Sequence, residues 1–255
     1  MSGAKISAGS LLLASSLVFV SLAFSYFQKL KLEKEILVSV IRAVIQLIIV
    51  GYVLNFIFGL DSPVFTTLLL AFMIFNASYN AAKRGAGIKR AQAISFISIL
   101  LGTGVTLSVL IASGAIKYSP IQIVPVGGMI ISNAMIALGL CYREIISGFK
   151  SKCEEVETKL SLGADMLPSS IDIIRDSIRT GMAPTIDSAK TLGIVSIPGM
   201  TTGLILAGTS PIEAVKYQIM VTFMLLSTTS ISSFIACYFS YRSFFNSRKQ
   251  LVLPE

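Results

Sequence analysis

Long apolar runs separated by short polar breaks dominate this chain. Seven runs approach the length of about twenty residues that crosses about 30 Å of hydrocarbon as a helix. They are Ser7–Phe27, Ile36–Phe58, Pro63–Ala82, Ala91–Ala112, Ile121–Cys141, Gly193–Leu206 and Tyr217–Phe239. The sixth is short and contains Pro198-Gly199, so it either starts earlier, near Ser188, or is a broken helix. Between the fifth and sixth runs lies the one long polar stretch, Tyr142–Leu192, which carries 7 of the 21 basic residues and most of the acidic ones. The pattern predicts an all-α polytopic membrane protein with about seven spans. It is read as a single transmembrane domain over residues 1–255, with 142–192 as its long polar loop.

Charge orients the map. With the N-terminus outside, the inner segments hold 17 basic residues and the outer ones only Lys5, Lys117 and Lys216, with Arg42 inside a span. This is the positive-inside pattern, and it places the C-terminus in the cytoplasm. Removing the sixth span would put the basic residues Arg242, Arg248 and Lys249 outside, so the charges also defend that weak segment. The first run is retained as an anchor, because Lys29 and Lys31 follow it and no small-residue cleavage site does.

Composition agrees: 54% of the residues are hydrophobic and 13% charged, against about a quarter charged in soluble domains. The net charge of +8 fits inner loops facing anionic lipid, not nucleic-acid binding. The three cysteines are expected to stay reduced. Histidine is absent, which removes the usual imidazole ligand and base. No acidic residue lies in a predicted span, so a proton-coupled carrier lacks its titratable group. No G-x-x-x-x-G-K-[ST] motif occurs. Uphill transport by this chain would need energy from a partner, and the long loop is the place for that partner to dock.

Within the loop, Val156, Leu160 and Leu162 form the apolar stripe of one short helix, ended by Gly163. Ile171, Ile174 and Ile178 form the face of a second, whose charged side carries Arg175 and Arg179. Gly181 and Pro184 are expected to break it. Two or three short helices with sharp turns are therefore predicted, either a rigid knob for an ATPase groove or an amphipathic hairpin on the membrane.

The run Glu157–Ala164 resembles the E-A-A-x-x-x-G loop through which permeases of ABC transporters bind their ATPase. A longer likeness is carried by IRAVIQLI (41–48), NAMIALGL (133–140), Ile174–Leu204 and AGTSPIEAVKYQI (207–219). These stretches resemble the FetB permease family, over roughly residues 35–240. That family includes a bacterial iron-export permease and plant aluminium-tolerance permeases, and plant relatives have been linked to UDP-glucose movement. The resemblance implies a permease subunit in the cell membrane, exporting iron or another metal. It implies a homodimer working with a separate, FetA-like ATPase that holds the ATP and Mg, and no cofactor in this chain. Glu157, Leu160, Gly163, Ala164, Arg175 and Arg179 are the candidate coupling residues.

Candidates for the translocation pathway come from polar groups inside spans. Arg42 and Gln46 share a face of the second span, where Arg42 serves gating or simply snorkels. Asn76 and Asn80, with Arg84, form a polar stripe on the third span that lines a path or bonds a neighbouring helix. Asn133 in the fifth span is similar. Pro198, Gly199, Met200, Thr201 and Thr202 are the strongest group: proline frees a carbonyl and Gly199-x-x-x-Gly203 allows close helix approach. Simple packing explains the same residues. Methionines suit soft ions such as Cu(I) and also serve as core filler; the metal ligands, if any, are unknown. The rivals are a passive channel or gradient-driven carrier, a nucleotide-sugar transporter, and a seven-span receptor.

Overall fold

The computed structural model describes residues 8–60 and 62–253; Lys5, Ser7 and Asp61 lie outside them. Every regular element among the described residues is helical. Contacts divide the chain into two compact units, residues 1–61 and 62–255.

The first unit is a helical hairpin of α1 (Ala8–Phe27) and α2 (Glu33–Leu60). Its turn is tied by Ser25, whose hydroxyl donates to Glu33 Oε1 at 2.8 Å and accepts from the Leu32 amide at 3.1 Å. Lys29 and Lys31 adopt positive φ to close it. α2 exposes apolar side chains on several faces, Leu37, Val38, Leu47 and Val50 among them, with Arg42 and Gln46 the polar exception within the run. So much exposed apolar surface suits a helix in lipid.

The second unit contains α3 (Pro63–Arg84), α4 (Ala91–Ala112), α5 (Pro120–Ser151), α6 (Cys153–Ser161), α7 (Met166–Thr191), α8 (Gly199–Leu206) and α9 (Pro211–Ser240), followed by a 3₁₀ turn, Tyr241–Phe244. α5 is its axis and packs against α3, α4, α7 and α9. Proline opens α3, α5 and α9 within their first turn, where its missing N–H has no intrahelical partner to lose. Hydroxyls join α4 to α9: Ser232 donates to the Ser98 carbonyl at 3.0 Å and Thr228 to Thr106 at 2.8 Å. In an apolar surround such bonds and small-residue contacts replace the hydrophobic drive between helices.

Three expectations change here. α5 does not stop at Cys141 but continues to Ser151, because Tyr142, Ile145 and Phe149 extend its buried face. α7 is one helix of 26 residues that passes through both Gly181 and Pro184. Its packing against α5 and α9 overrides the local propensity to break. Finally, Gly193–Leu206 is not one spanning helix. The chain turns at 192–198, with Gly193 at φ +78°, and only the eight residues of α8 follow, about 12 Å of rise. α7 runs antiparallel to α5, with Ile173 against Gly148 and Gly181 against Ala137 and Cys141. α8 then continues beside the first turns of α9, where Thr201 donates to Gln218 Oε1 at 2.9 Å. The α7–α8 segment is thus interrupted at 192–198, as the Pro198-Gly199 pair suggests.

Candidate functional site

The break borders a half-open cavity of about 300 Å³ between α5, α7, α8 and α9. Asn133, Pro198, Gly199 and Met200, all picked from the sequence, meet there. Thr185, Ser188, Gln218, Thr222 and Met129 complete the polar and thioether lining. Asn133 donates through Nδ2 to the Met129 carbonyl at 2.9 Å, which leaves its amide oxygen available. Gln218 accepts from Thr201, which leaves its NH₂. Thr201 itself is buried and lines a second cavity, about 360 Å³, that also borders Gln218 and Pro198. Thr202 is exposed on α8, donating to the Pro198 carbonyl at 3.4 Å.

Of the remaining pathway candidates, those on α3 do not line this cavity. Asn80 donates to Asn76 Oδ1 at 2.8 Å and to the Asn76 carbonyl at 2.9 Å, so these two residues bond to each other within α3. Arg84 lays its stem across Gly139 of α5. Arg42 and Gln46 are exposed on α2, in the first unit. Ser188, Gln218 and Thr222 escaped the sequence reading: Gln218 and Thr222 lie one turn apart in the last apolar run and were legible there as a polar pair, whereas Ser188 joins them only through the fold.

The charged end of the second unit forms a groove of about 1060 Å³. Glu157, Leu160, Gly163 and Ala164 line one side of it, and the C-terminal tail, Asn246–Val252, lines the other. Gly163 has φ +93°, the left-handed conformation that glycine adopts at a helix C-terminus. Asp165 opens α7 by accepting from the Met166 amide at 3.0 Å, and Lys249 of the tail pairs with the same carboxylate at 2.9 Å. Arg175 and Arg179 lie outside the groove, exposed on α7 and paired with Asp172 at 3.7 Å and Asp176 at 3.0 Å. Lys159 joins α6 to α7 by pairing with Glu155 at 2.7 Å and Asp172 at 3.2 Å, and these partners raise its pKa.

The tail is anchored from within. Phe149 of α5 stacks on Phe244 at 4.1 Å and meets Phe245 edge-on at 5.9 Å. Asn246 caps the tail's turn by accepting from the Arg248 and Gln250 amides, each at 2.9 Å. The Lys249 hydrogen bond, then that from Met166, holds the Asp165 carboxyl below the usual carboxylate range. A depressed folded pKa means the clasp is complete above the free carboxyl's pKa, about 3.9, and is lost as pH falls through the folded value. The pair is exposed, so its contribution is small. Lys249→Gln is expected to raise proteolysis of the tail at pH 7 by no more than about five-fold. Wild type should show the same sensitivity only below about pH 4.

Between groove and cavity run three continuous helices. α7 leads from Asp165 to Ser188, α5 from Phe149 to Asn133, and α9 from the tail to Gln218. Among the described residues no three of His, Cys, Asp and Glu gather into a metal-binding group.

Among the described residues five helices are long and apolar enough to span a membrane, which marks a multi-pass membrane protein. The chain belongs to the uncharacterised protein family UPF0014, whose model matches residues 8–245. It is 53% identical, over 100% of its own length and 98% of the relative's, to the "Probable iron export permease protein FetB" of Escherichia coli. It is 37% identical to "UPF0014 membrane protein STAR2" of rice, over 93% of this chain and 84% of the relative. It is 35% identical to "Protein ALUMINUM SENSITIVE 3" of Arabidopsis thaliana, over 93% and 88%. No solved structure matches the chain.

Proposed function

We propose that this chain is the membrane-spanning subunit of an ABC transporter that exports iron, driven by a separate FetA-like ATPase. The observation that carries the reading is the linkage of a charged groove to an intramembrane cavity by unbroken helices. An ATPase element seated in the groove moves the start of α7, and α7 as a rigid rod moves Thr185 and Ser188 at its far end. Counting α7–α8 as the sixth of seven crossings puts the groove on the cytoplasmic side, where ATP is. The permease name of the bacterial relative supports both the class and the cargo. The complex is expected to hold two copies of each subunit, with ATP and Mg bound only on the ATPase.

The test is reconstitution with and without the ATPase. Iron is expected to accumulate in inverted vesicles only with both proteins and ATP present. Equal transport by this subunit alone would mark it as a channel or gradient-driven carrier.

A further inference from the structure

We infer that the cavity at the α7–α8 break receives its metal already wrapped in a small oxygen-donor chelator, as a charge-balanced complex and not as a bare ion. This deepens the proposed function and rests on it. None of the side chains lining the cavity is charged. Asp187 and Lys190, on the last turns of α7, pair with each other at 3.0 Å and take no part in the lining.

Hard divalent and trivalent ions leave water for sites built from carboxylates. A cavity without one offers no compensation for lost hydration. Thioethers from Met129 and Met200 favour soft ions and do not replace the missing anions. What the cavity does offer is hydrogen bonding. The Asn133 amide oxygen and the Gln218 NH₂ are left over from their internal bonds. Among the described residues, the Thr185 and Ser188 hydroxyls have no partner within the protein. Neutral donors and acceptors of this kind read the oxygen rim of a chelate whose own ligands already neutralise the metal.

Size agrees. At about 30 Å³ per water, the 300 Å³ cavity holds the equivalent of about ten waters. A metal held by a small hydroxycarboxylic acid fits this space.

The experiment uses the permease–ATPase complex in inverted vesicles, with iron(III) citrate labelled separately in metal and in carbon. Both labels are expected to accumulate at a constant ratio, and aquo-iron(II) without chelator at least ten-fold more slowly. Gln218→Leu is expected to raise the KM for the citrate complex with little change in kcat. Metal label entering without carbon label, or chelator-free iron moving equally fast, overturns the inference while leaving iron export intact. Neither label moving while ATP is hydrolysed overturns the inference too, and marks the iron reading beneath it as the one that failed.

Discussion

Gly181→Leu is expected to lower the melting temperature by roughly 6–12 °C. A Cβ at this position would fall inside the van der Waals shell of Cys141 Sγ, 3.0 Å from the Ala137 carbonyl and 3.2 Å from Ser233 Oγ. Gly181 is where α7 crosses both α5 and α9, so nothing can yield except the helices themselves. Overpacking of this kind costs about 1–3 kcal/mol, and leucine adds three carbons beyond the first. For a chain of this size about 3 kcal/mol corresponds to a fall in Tm of roughly 6–12 °C. Thermal unfolding in detergent measures it. The obstacle has an identity, which supplies a second test. Cys141→Ala combined with Gly181→Ala should recover part of what Gly181→Ala loses, because the sulfur is gone while the Ala137 carbonyl remains. An unchanged Tm in Gly181→Leu would mean that α7 does not pack as described.

Gly163→Pro is expected to separate ATP hydrolysis from transport. The turn between α6 and α7 needs φ +93° at this residue and a hydrogen bond from its amide to the Leu160 carbonyl at 3.0 Å. Proline fixes φ near −65° and has no N–H, so the turn must rebuild and Glu157, Leu160 and Ala164 leave their places along the groove. The spans are untouched, and membrane insertion should be normal. Iron moved per ATP hydrolysed should fall at least about ten-fold, or about 1.4 kcal/mol of coupling, with hydrolysis itself persisting. Gly163→Asn is the control, since asparagine tolerates the left-handed region and should retain most coupling. Wild-type stoichiometry in the proline variant would remove the groove from the mechanism.

Much of the fold could be read directly from hydropathy. The boundaries of α4 match the apolar run Ala91–Ala112, and α3 starts at Pro63 as expected, because the length of a lipid-facing helix is set by the bilayer. The reading failed where helices leave that regime. α5 overruns by ten residues because Tyr142, Ile145 and Phe149 find protein partners, which no hydropathy window detects. α7 looked like broken pieces because Gly181 and Pro184 are breakers in isolation; in place, Gly181 is what permits the close crossing.

The candidate site divides in the same way. Glu157, Leu160, Gly163 and Ala164 are local in sequence and remain together in space. Asn133, Pro198, Gly199 and Met200 were each visible as polar or helix-breaking residues in apolar runs, and the fold brings them to one cavity. Asn76 and Asn80 carried the same kind of signal and do not line it, while Arg42 and Gln46 belong to the first unit. A polar residue in a span announces an unmet bonding need, and Asn80 meets that need one turn away. The tail's place beside the groove left no trace in the sequence, since Lys249 and Asp165 are 84 positions apart.

The interruption at residues 192–198 also bears on how relatives are mapped. On the proposed seven-crossing topology, a reporter enzyme fused near Ile194 would be held at bilayer depth and register neither face. On that same topology, algorithms that score uninterrupted stretches would omit this passage and assign every later segment, C-terminus included, to the wrong compartment. Fusions at Gly163 and Gly208, one on each flank of the interrupted helix, would restore the correct parity.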